Sequence, residues 1–214
     1  MTLTIHGYRK SACTRRVAVV CKELNIPYEV ATVNLIAGEH RSEAHLVRQP
    51  FGLVPTISDN GFELFESRAI CRYLVQKYGK PGPDGLMPDP RDIEATANFE
   101  QAASIENNHF DFYAWQIALE SVIKPMKGES TDPEIIKKNT TILEAKLDGY
   151  ERILSKQKYL AGDVLTIADL FHLPFGMAIT EGAKYDGLLK RPNVARWWKD
   201  ISSRPAWQAV KDGA

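Results

Sequence analysis

What the chain has little of narrows its function first. No apolar run approaches the roughly 18 residues that a membrane-crossing helix requires, so a spanning protein is not expected. Neither sign of charge is in excess: 27 Lys and Arg balance 27 Asp and Glu. Without a basic surplus or stripe, a nucleic-acid partner is not expected either. Cysteine is scarce and odd in number, at Cys13, Cys21 and Cys71. That spacing suits neither a disulfide framework nor a metal site, so reduced thiols and no metal are expected. Residues Met1 to Gly7 lack the basic and apolar regions of a secretion signal. There is no internal repeat and no low-complexity segment. The expectation is a soluble cytoplasmic protein.

What is present has ordinary globular proportions, 44% hydrophobic and 25% charged over 214 residues, enough for one large domain or two modest ones. Residues 2–6 read as a short strand ended by Gly7. After Ser11, Val17, Val20, Cys21 and Leu24 fall at helical spacing, which Asn25-Ile26-Pro27 stops. Tyr28 to Val33 is β-branched and partly alternating, a second strand. Strand, helix and strand in about 33 residues make a βαβ unit with parallel pairing. A short polar helical stretch follows from Ser42 to about Gln49. Val54 to Ser58 and Phe62 to Phe65, joined through Asp59-Asn60-Gly61, form a hairpin pattern. Ser67 opens another helix carrying Ala69, Ile70, Tyr73, Leu74 and Tyr78. Residues 1–78 thus read β-α-β-α-β-β-α. Residues 79–92, with four prolines and three glycines, read as a linker. Residues 93–214 show only helical patterning: a stripe at Leu143, Leu147, Tyr150 and Leu154, a capping-box variant at Thr166 to Asp169, and Pro192 leading into Val194, Trp197, Trp198 and Ile201.

Four local features carry chemistry, and each has a plain structural alternative. Ser11 begins the first helix; it is either an N-cap or a hydroxyl set where a helix N-terminus stabilises an anion such as a thiolate. A thiol of pKa about 8.5 is mostly protonated at neutral pH, so lowering that pKa is useful work. Leu53-Val54-Pro55 precedes a strand, and a cis proline there would present the Val54 backbone for strand-like pairing with an extended peptide. Glu66-Ser67 is either a dipole-complementing cap or a receptor for a carboxylate. Gly38 to Arg41 is either a solvated loop or a second carboxylate holder through His40 and Arg41.

The runs Ser11-Ala12-Cys13-Thr14-Arg15-Arg16-Val17, Gly38-Glu39-His40, Pro50 to Pro55 and Phe65 to Ile70 occur in order and at fitting separations. Together they strongly resemble the glutathione transferases, most closely the phi class, and the resemblance covers the whole chain. It implies an α/β thioredoxin-like N-terminal domain that binds glutathione, plus an all-α C-terminal domain. By that resemblance Ser11 is the catalytic serine that hydrogen-bonds the glutathione sulfur. His40 and Arg41 hold the glycyl carboxylate, Val54 pairs with the cysteinyl portion beside a cis Pro55, and Glu66 and Ser67 take the γ-glutamyl end. Leu53 departs from the pattern, which usually has Gln or Lys there, so one side-chain contact to glutathione is in question. Ala12, Leu35, Phe112 and Tyr113 are candidates for the apolar-substrate pocket, although aromatic residues on that helix also suit ordinary core packing. Glutathione is implied as a co-substrate without any permanently bound cofactor, the second substrate as a small hydrophobic electrophile, and the assembly as a homodimer. Reduction of organic hydroperoxides is an implied side activity. Two other functions are compatible with the residues: a thiol transferase using Cys13, and a non-catalytic carrier of hydrophobic ligands.

Overall fold

Alternating burial along the first strand sets up the first layer. In the computed structural model, which describes residues 3–80, 82 and 85–214, β1 (Leu3–Gly7) buries Leu3, Ile5 and Gly7 on one face and leaves Thr4 and His6 half-buried on the other. The buried face receives α1 (Ala12–Glu23), whose Val17 to Cys21 are fully buried. β2 (Tyr28–Thr32) returns parallel to β1, in register Leu3 to Tyr28, as the βαβ reading expects. A 3-10 turn (Glu39–Arg41) and the one-turn α2 (Glu43–Leu46) follow, α2 capped by the Ser42 side chain. β3 (Thr56–Asp59) and β4 (Phe62–Phe65) form the hairpin. Its tip has positive φ at both Asn60 (53°) and Gly61 (87°), which the twist of a two-residue hairpin turn demands. The sheet order is β2-β1-β3-β4, with β3 antiparallel to β1, and α3 (Ser67–Tyr78) packs beside α1.

The hairpin is tied to α3 at a single buried carboxylate. Asp59, 2% exposed, accepts hydrogen bonds from Tyr73 Oη (2.7 Å), Lys77 Nζ (2.7 Å) and Tyr78 Oη (2.8 Å). Burial alone would raise the Asp59 carboxyl, but the bonds from Lys77, Tyr73 and Tyr78 outweigh it and hold the group below the usual carboxylate range. A depressed folded-state pKa stabilises the fold above the unfolded value of about 3.9 and loses that contribution as pH falls through the folded one. Asp59→Asn is therefore expected to lower the Tm at pH 7, and the gap to wild type should close on acidification below about pH 4. Thermal melts of both proteins across pH 3–7 check this; a gap independent of pH would contradict it.

The described residues fall into two compact units, Met1–Met87 with Pro205–Ala214, and Pro88–Arg204. The expected 79–92 linker lies partly outside the described residues, at Pro81, Pro83 and Asp84, as does Thr2 of the expected first strand. Assigning all of 93–214 to the helical half needs correction at its end. The short helix Pro205–Gln208 and the residues after it pack on α1 of the first unit. Trp207 is fully buried, Arg15 sits over its ring at 5.8 Å and donates to the Lys211 carbonyl, and Ala214 N donates to Arg9 O at 3.0 Å.

The second unit is helical among its described residues, apart from one isolated bridge between Tyr159 and Gly162. α4 (Ile93–Glu106) runs through a π-turn (Asn107–Asp111) into α5 (Phe112–Ala118). A second π-turn (Leu119–Ile123) leads to α6 (Lys124–Met126). α7 (Pro133–Leu154) is capped by Asp132 and buries the predicted stripe of Leu143, Leu147, Tyr150 and Leu154. α8 (Ile167–Leu170), α9 (Leu173–Met177) and α10 (Pro192–Ser202) close the unit around Tyr150, His172 and Trp197. Each such buried side chain contributes about 1.5–3 kcal/mol from loss of water contact. No helix among the described residues is long and apolar enough to cross a membrane.

Candidate functional site

Strand register gathers the chemical motifs at one edge of the sheet. Residue His6 of β1 lies opposite Thr56, and Thr56 lies opposite Phe65. The segments just beyond these three positions are the turn to Ser11, the Val54–Pro55 dipeptide and Glu66–Ser67. Val33 N donates to Gly7 O at 3.1 Å, so the loop that reaches His40 leaves from the same edge. At that edge Gly7 has no room for a side chain: a Cβ there would meet Thr14 Oγ1 at 2.6 Å and Pro55 Cβ at 3.4 Å. A glycine is what lets α1 start this close to the cis proline.

Ser11 closes a turn by donating its N–H to Tyr8 O at 2.8 Å, and its carbonyl accepts the first helical bond, from Arg15 N at 3.0 Å. It occupies the N-cap position with extended backbone (φ −63°, ψ 133°), yet its side chain makes no capping hydrogen bond. The capping alternative therefore does not describe this serine. The hydroxyl is half-buried, and the N–H groups of Ala12, Cys13 and Thr14 precede the first intrahelical bond. No acidic residue stands in that first turn to neutralise the helix dipole.

Val54–Pro55 is a cis peptide bond, and β3 begins only after it, at Thr56. The Val54 N–H and C=O have no hydrogen-bond partner among the described residues. The loop before it is braced by two residues that sequence inspection passed over. Gln49, 2% exposed, accepts from Phe51 N (2.7 Å) and Leu53 N (3.2 Å) through Oε1. His45, 6% exposed, donates from Nε2 to Leu53 O at 2.7 Å. Leu53 itself points an apolar side chain outward, half-exposed, where the resemblance leads one to expect an amide or ammonium. Gly52 (φ 61°) packs on the His40–Arg41 turn, and Arg41 Nη1 donates to Phe51 O at 3.4 Å. His40 is half-buried and Arg41 exposed; the neighbouring Glu39 carboxylate is turned away, accepting from Asn34 N at 2.6 Å.

Glu66 is exposed and holds φ 70° and ψ 105°, a conformation that costs a non-glycine residue about 1–3 kcal/mol. Its side chain caps nothing. Ser67 is buried at the start of α3, and Ile70 N makes the first helical bond to Glu66 O at 2.8 Å. The N–H groups of Ser67, Arg68 and Ala69 thus also precede the helical ladder. The Ser67 hydroxyl accepts from Arg16 Nη1 at 3.1 Å. Arg16 is fully buried on α1 and is a third residue missed in the sequence, because a polar residue inside an otherwise apolar helix face carries no pattern of its own.

The cysteines divide by environment. Burial pushes the Cys71 thiol up to about 12 and Cys21 higher still, so neither is a nucleophile at neutral pH. Cys13 is half-buried, with its sulfur 3.5 Å from Arg16 Nη1. Among the described residues, no group of three or more His, Cys, Asp or Glu is arranged to hold a metal.

The four pocket candidates lie in both units. Ala12 and Leu35 are half-buried in the first. In the second, Phe112 is 56% exposed and stacks edge-on with Tyr113 at 5.4 Å. Phe112 also lines a recess of about 340 Å³ with Asn107, Asn108, Asp111 and Trp115. Its neighbour Phe110 is fully buried against Tyr150 and His172, so that ring belongs to the core.

Residues 1–76 match the N-terminal domain, and residues 114–205 the C-terminal domain, of glutathione S-transferases. The chain is 46% identical over 200 residues to glutathione S-transferase PM239X14 of Arabidopsis thaliana, covering 92% of this chain and 90% of that one. It superposes on the crystal structure of glutathione transferase F7 from Populus trichocarpa with a TM-score of 0.91 at 35% identity, covering 98% and 97% of the two chains. Glutathione S-transferase I from maize, solved with an atrazine–glutathione conjugate, gives 0.90 at 33% identity, with 99% and 97% covered. Thioredoxin-like and all-helical parts, family match and close relatives agree: the chain belongs to the glutathione S-transferases, in the phi class, as an enzyme that conjugates glutathione to electrophiles.

Proposed function

We propose that Ser11 is the catalytic residue of a serine-type transferase, its hydroxyl donating a hydrogen bond to the glutathione sulfur and so stabilising it as a thiolate. The thiolate attacks an electrophilic carbon of an apolar substrate, forming a C–S bond as the leaving group departs; the thiol proton has already gone to solvent. The observation that carries this is the Ser11 side chain, which makes no capping hydrogen bond, at a helix start with no acidic residue in its first turn. Val54 takes the cysteinyl backbone, for which its unpaired N–H and C=O are suited. His40 and Arg41 take the glycyl carboxylate. Ser67, with Glu66, takes the γ-glutamyl end at the N-terminus of α3. Leu53 and Pro55 shape the loop. For the second substrate, Ala12 and Leu35 supply apolar surface in the first unit. The maize relative is solved with an atrazine–glutathione conjugate, and we infer electrophilic aromatic carbons as a substrate class here too. The same thiolate suits the reduction of organic hydroperoxides.

The test is the ionisation of bound glutathione, followed by thiolate ultraviolet absorbance as pH is raised. The midpoint is expected to fall by at least one unit from the free thiol value of about 8.5. An unshifted midpoint sinks the assignment of Ser11.

We further propose that the enzyme is a homodimer joined through the face that carries Phe51. Phe51 is 64% exposed, with Val47 and Leu53 also bare nearby in the chain, a concentration of apolar surface that a second copy would cover. Phe51→Asp is expected to weaken self-association by about 100-fold, as for a central anchor. Sedimentation equilibrium reads this; an unchanged mass at micromolar concentration contradicts it.

A further inference from the structure

Arg16 is a guanidinium with no exposed surface, and a guanidinium carries donors only. Its Nη1 points at the Ser67 hydroxyl oxygen from 3.1 Å and at the Cys13 sulfur from 3.5 Å. A serine hydroxyl has one proton and two lone pairs. When a permanent donor fills a lone pair from inside, the serine proton cannot turn inward toward it. The hydroxyl proton is then directed away from Arg16 and is available to an acceptor at the mouth of α3. Behind it stands a guanidinium, a permanent donor, next to the partial positive charge of the helix N-terminus. Charge-assisted bonds of this kind are roughly twice as strong as neutral ones.

We propose that Arg16 is a positioning residue that fixes Ser67 as a donor to an anion, and so makes the enzyme selective for thiols bearing an α-carboxylate on the γ-glutamyl group. The inference rests on the assignment of Ser67 to that carboxylate. Arg16 itself does not touch the substrate; it acts through Ser67.

The experiment compares glutathione with γ-aminobutyryl-cysteinyl-glycine, which keeps the amino group and differs only in lacking the glutamyl α-carboxylate. Steady-state conjugation of a chromogenic aryl halide is measured with each thiol in wild type, Arg16→Met, Ser67→Ala and the double variant. In Arg16→Met, KM for glutathione is expected to rise about tenfold or more, with kcat nearly constant and KM for the analogue unchanged. The double variant is expected to be no worse than Ser67→Ala, since one residue acts through the other. If Arg16→Met does not fold, Arg16→Gln keeps an N–H donor without the charge and should show the same split at smaller amplitude. An equal rise in KM for both thiols, or no rise for either, marks a purely structural arginine and overturns the inference. If Ser67→Ala loses the discrimination and Arg16→Met keeps it, the arginine inference fails alone. If Ser67→Ala keeps the discrimination, the Ser67 assignment itself is wrong.

Discussion

Replacing Ser11 by Ala is expected to reduce kcat/KM for aryl halide conjugation at pH 7 by about 10²–10³-fold, the usual cost of deleting one donor to a developing or resident anion. The geometry says why the loss should be large and specific. Ser11 spends its backbone on the turn and on the first helical bond, while its hydroxyl has no hydrogen-bond partner among the described residues. Truncation removes no cap and leaves the start of α1 intact, so stability should change by less than about 0.5 kcal/mol. What changes is the ionisation of bound glutathione. Without the serine proton the thiol should titrate near its free value of about 8.5. The deficit of the variant should therefore shrink as pH rises from 6.5 to 9, because hydroxide then does what the serine did. Cys13→Ser is the companion variant. Its sulfur lies against Arg16, so its activity should stay within about twofold of wild type. Steady-state rates of the three proteins over that pH range decide the matter. Collapse in Cys13→Ser with an unimpaired Ser11→Ala would mean an enzyme thiol does the chemistry. Loss in neither would mean that neither side chain holds the thiolate and that the Ser11 assignment is wrong.

Much of this arrangement was legible because the site is built where elements begin and end, and ends leave marks in sequence. Ser11, Asn60-Gly61, Pro55 and Ser67 are each a residue type that a turn or helix start selects, and counting between them yields β-α-β-α-β-β-α. The register was not legible, since burial alternates only along β1, and it is the register that carries Gly7, Pro55 and Glu66 to one edge. The braces were not legible. Gln49, His45 and Arg16 act through tertiary contacts with residues 4, 8 and 51 positions away, and nothing local distinguishes a buried glutamine from a solvated one. The docking of Pro205–Ala214 onto α1 was hidden for the same reason. Its Trp207 reads as one more aromatic in a helical half until Arg15, 192 residues earlier, is found over its ring. Ser11 shows the opposite limit: its capping alternative was reasonable from residue type, and only the orientation of one hydroxyl removes it.

The largest loss of stability is expected from Asp169→Ala, about 3–5 kcal/mol, from breaking one buried carboxylate away from its donors. Asp169 is fully buried at the third position of α8. One oxygen accepts from Leu160 N (3.0 Å) and Trp197 Nε1 (2.9 Å); the other accepts from Thr166 N (3.0 Å) and Thr166 Oγ1 (3.2 Å). The bond from Thr166 N is the half of the capping box that sequence anticipated. The bonds from Leu160 and Trp197 are long-range: they hold the 155–165 loop and α10 to the start of α8. Alanine leaves both backbone N–H groups and the indole N–H buried without acceptors, each costing about 1–3 kcal/mol before relaxation. Water can reach some of them once the loop loosens, which sets the lower end of the range. Asp169→Asn tests whether charge or shape matters, because its amide must turn one donor toward an existing donor. It should cost about 2–3 kcal/mol, between wild type and alanine. Urea unfolding followed by tryptophan fluorescence measures both, with Trp197 itself reporting. A midpoint for Asp169→Ala within error of wild type would mean that the donors find water at no cost, and the capping network would then be incidental to stability.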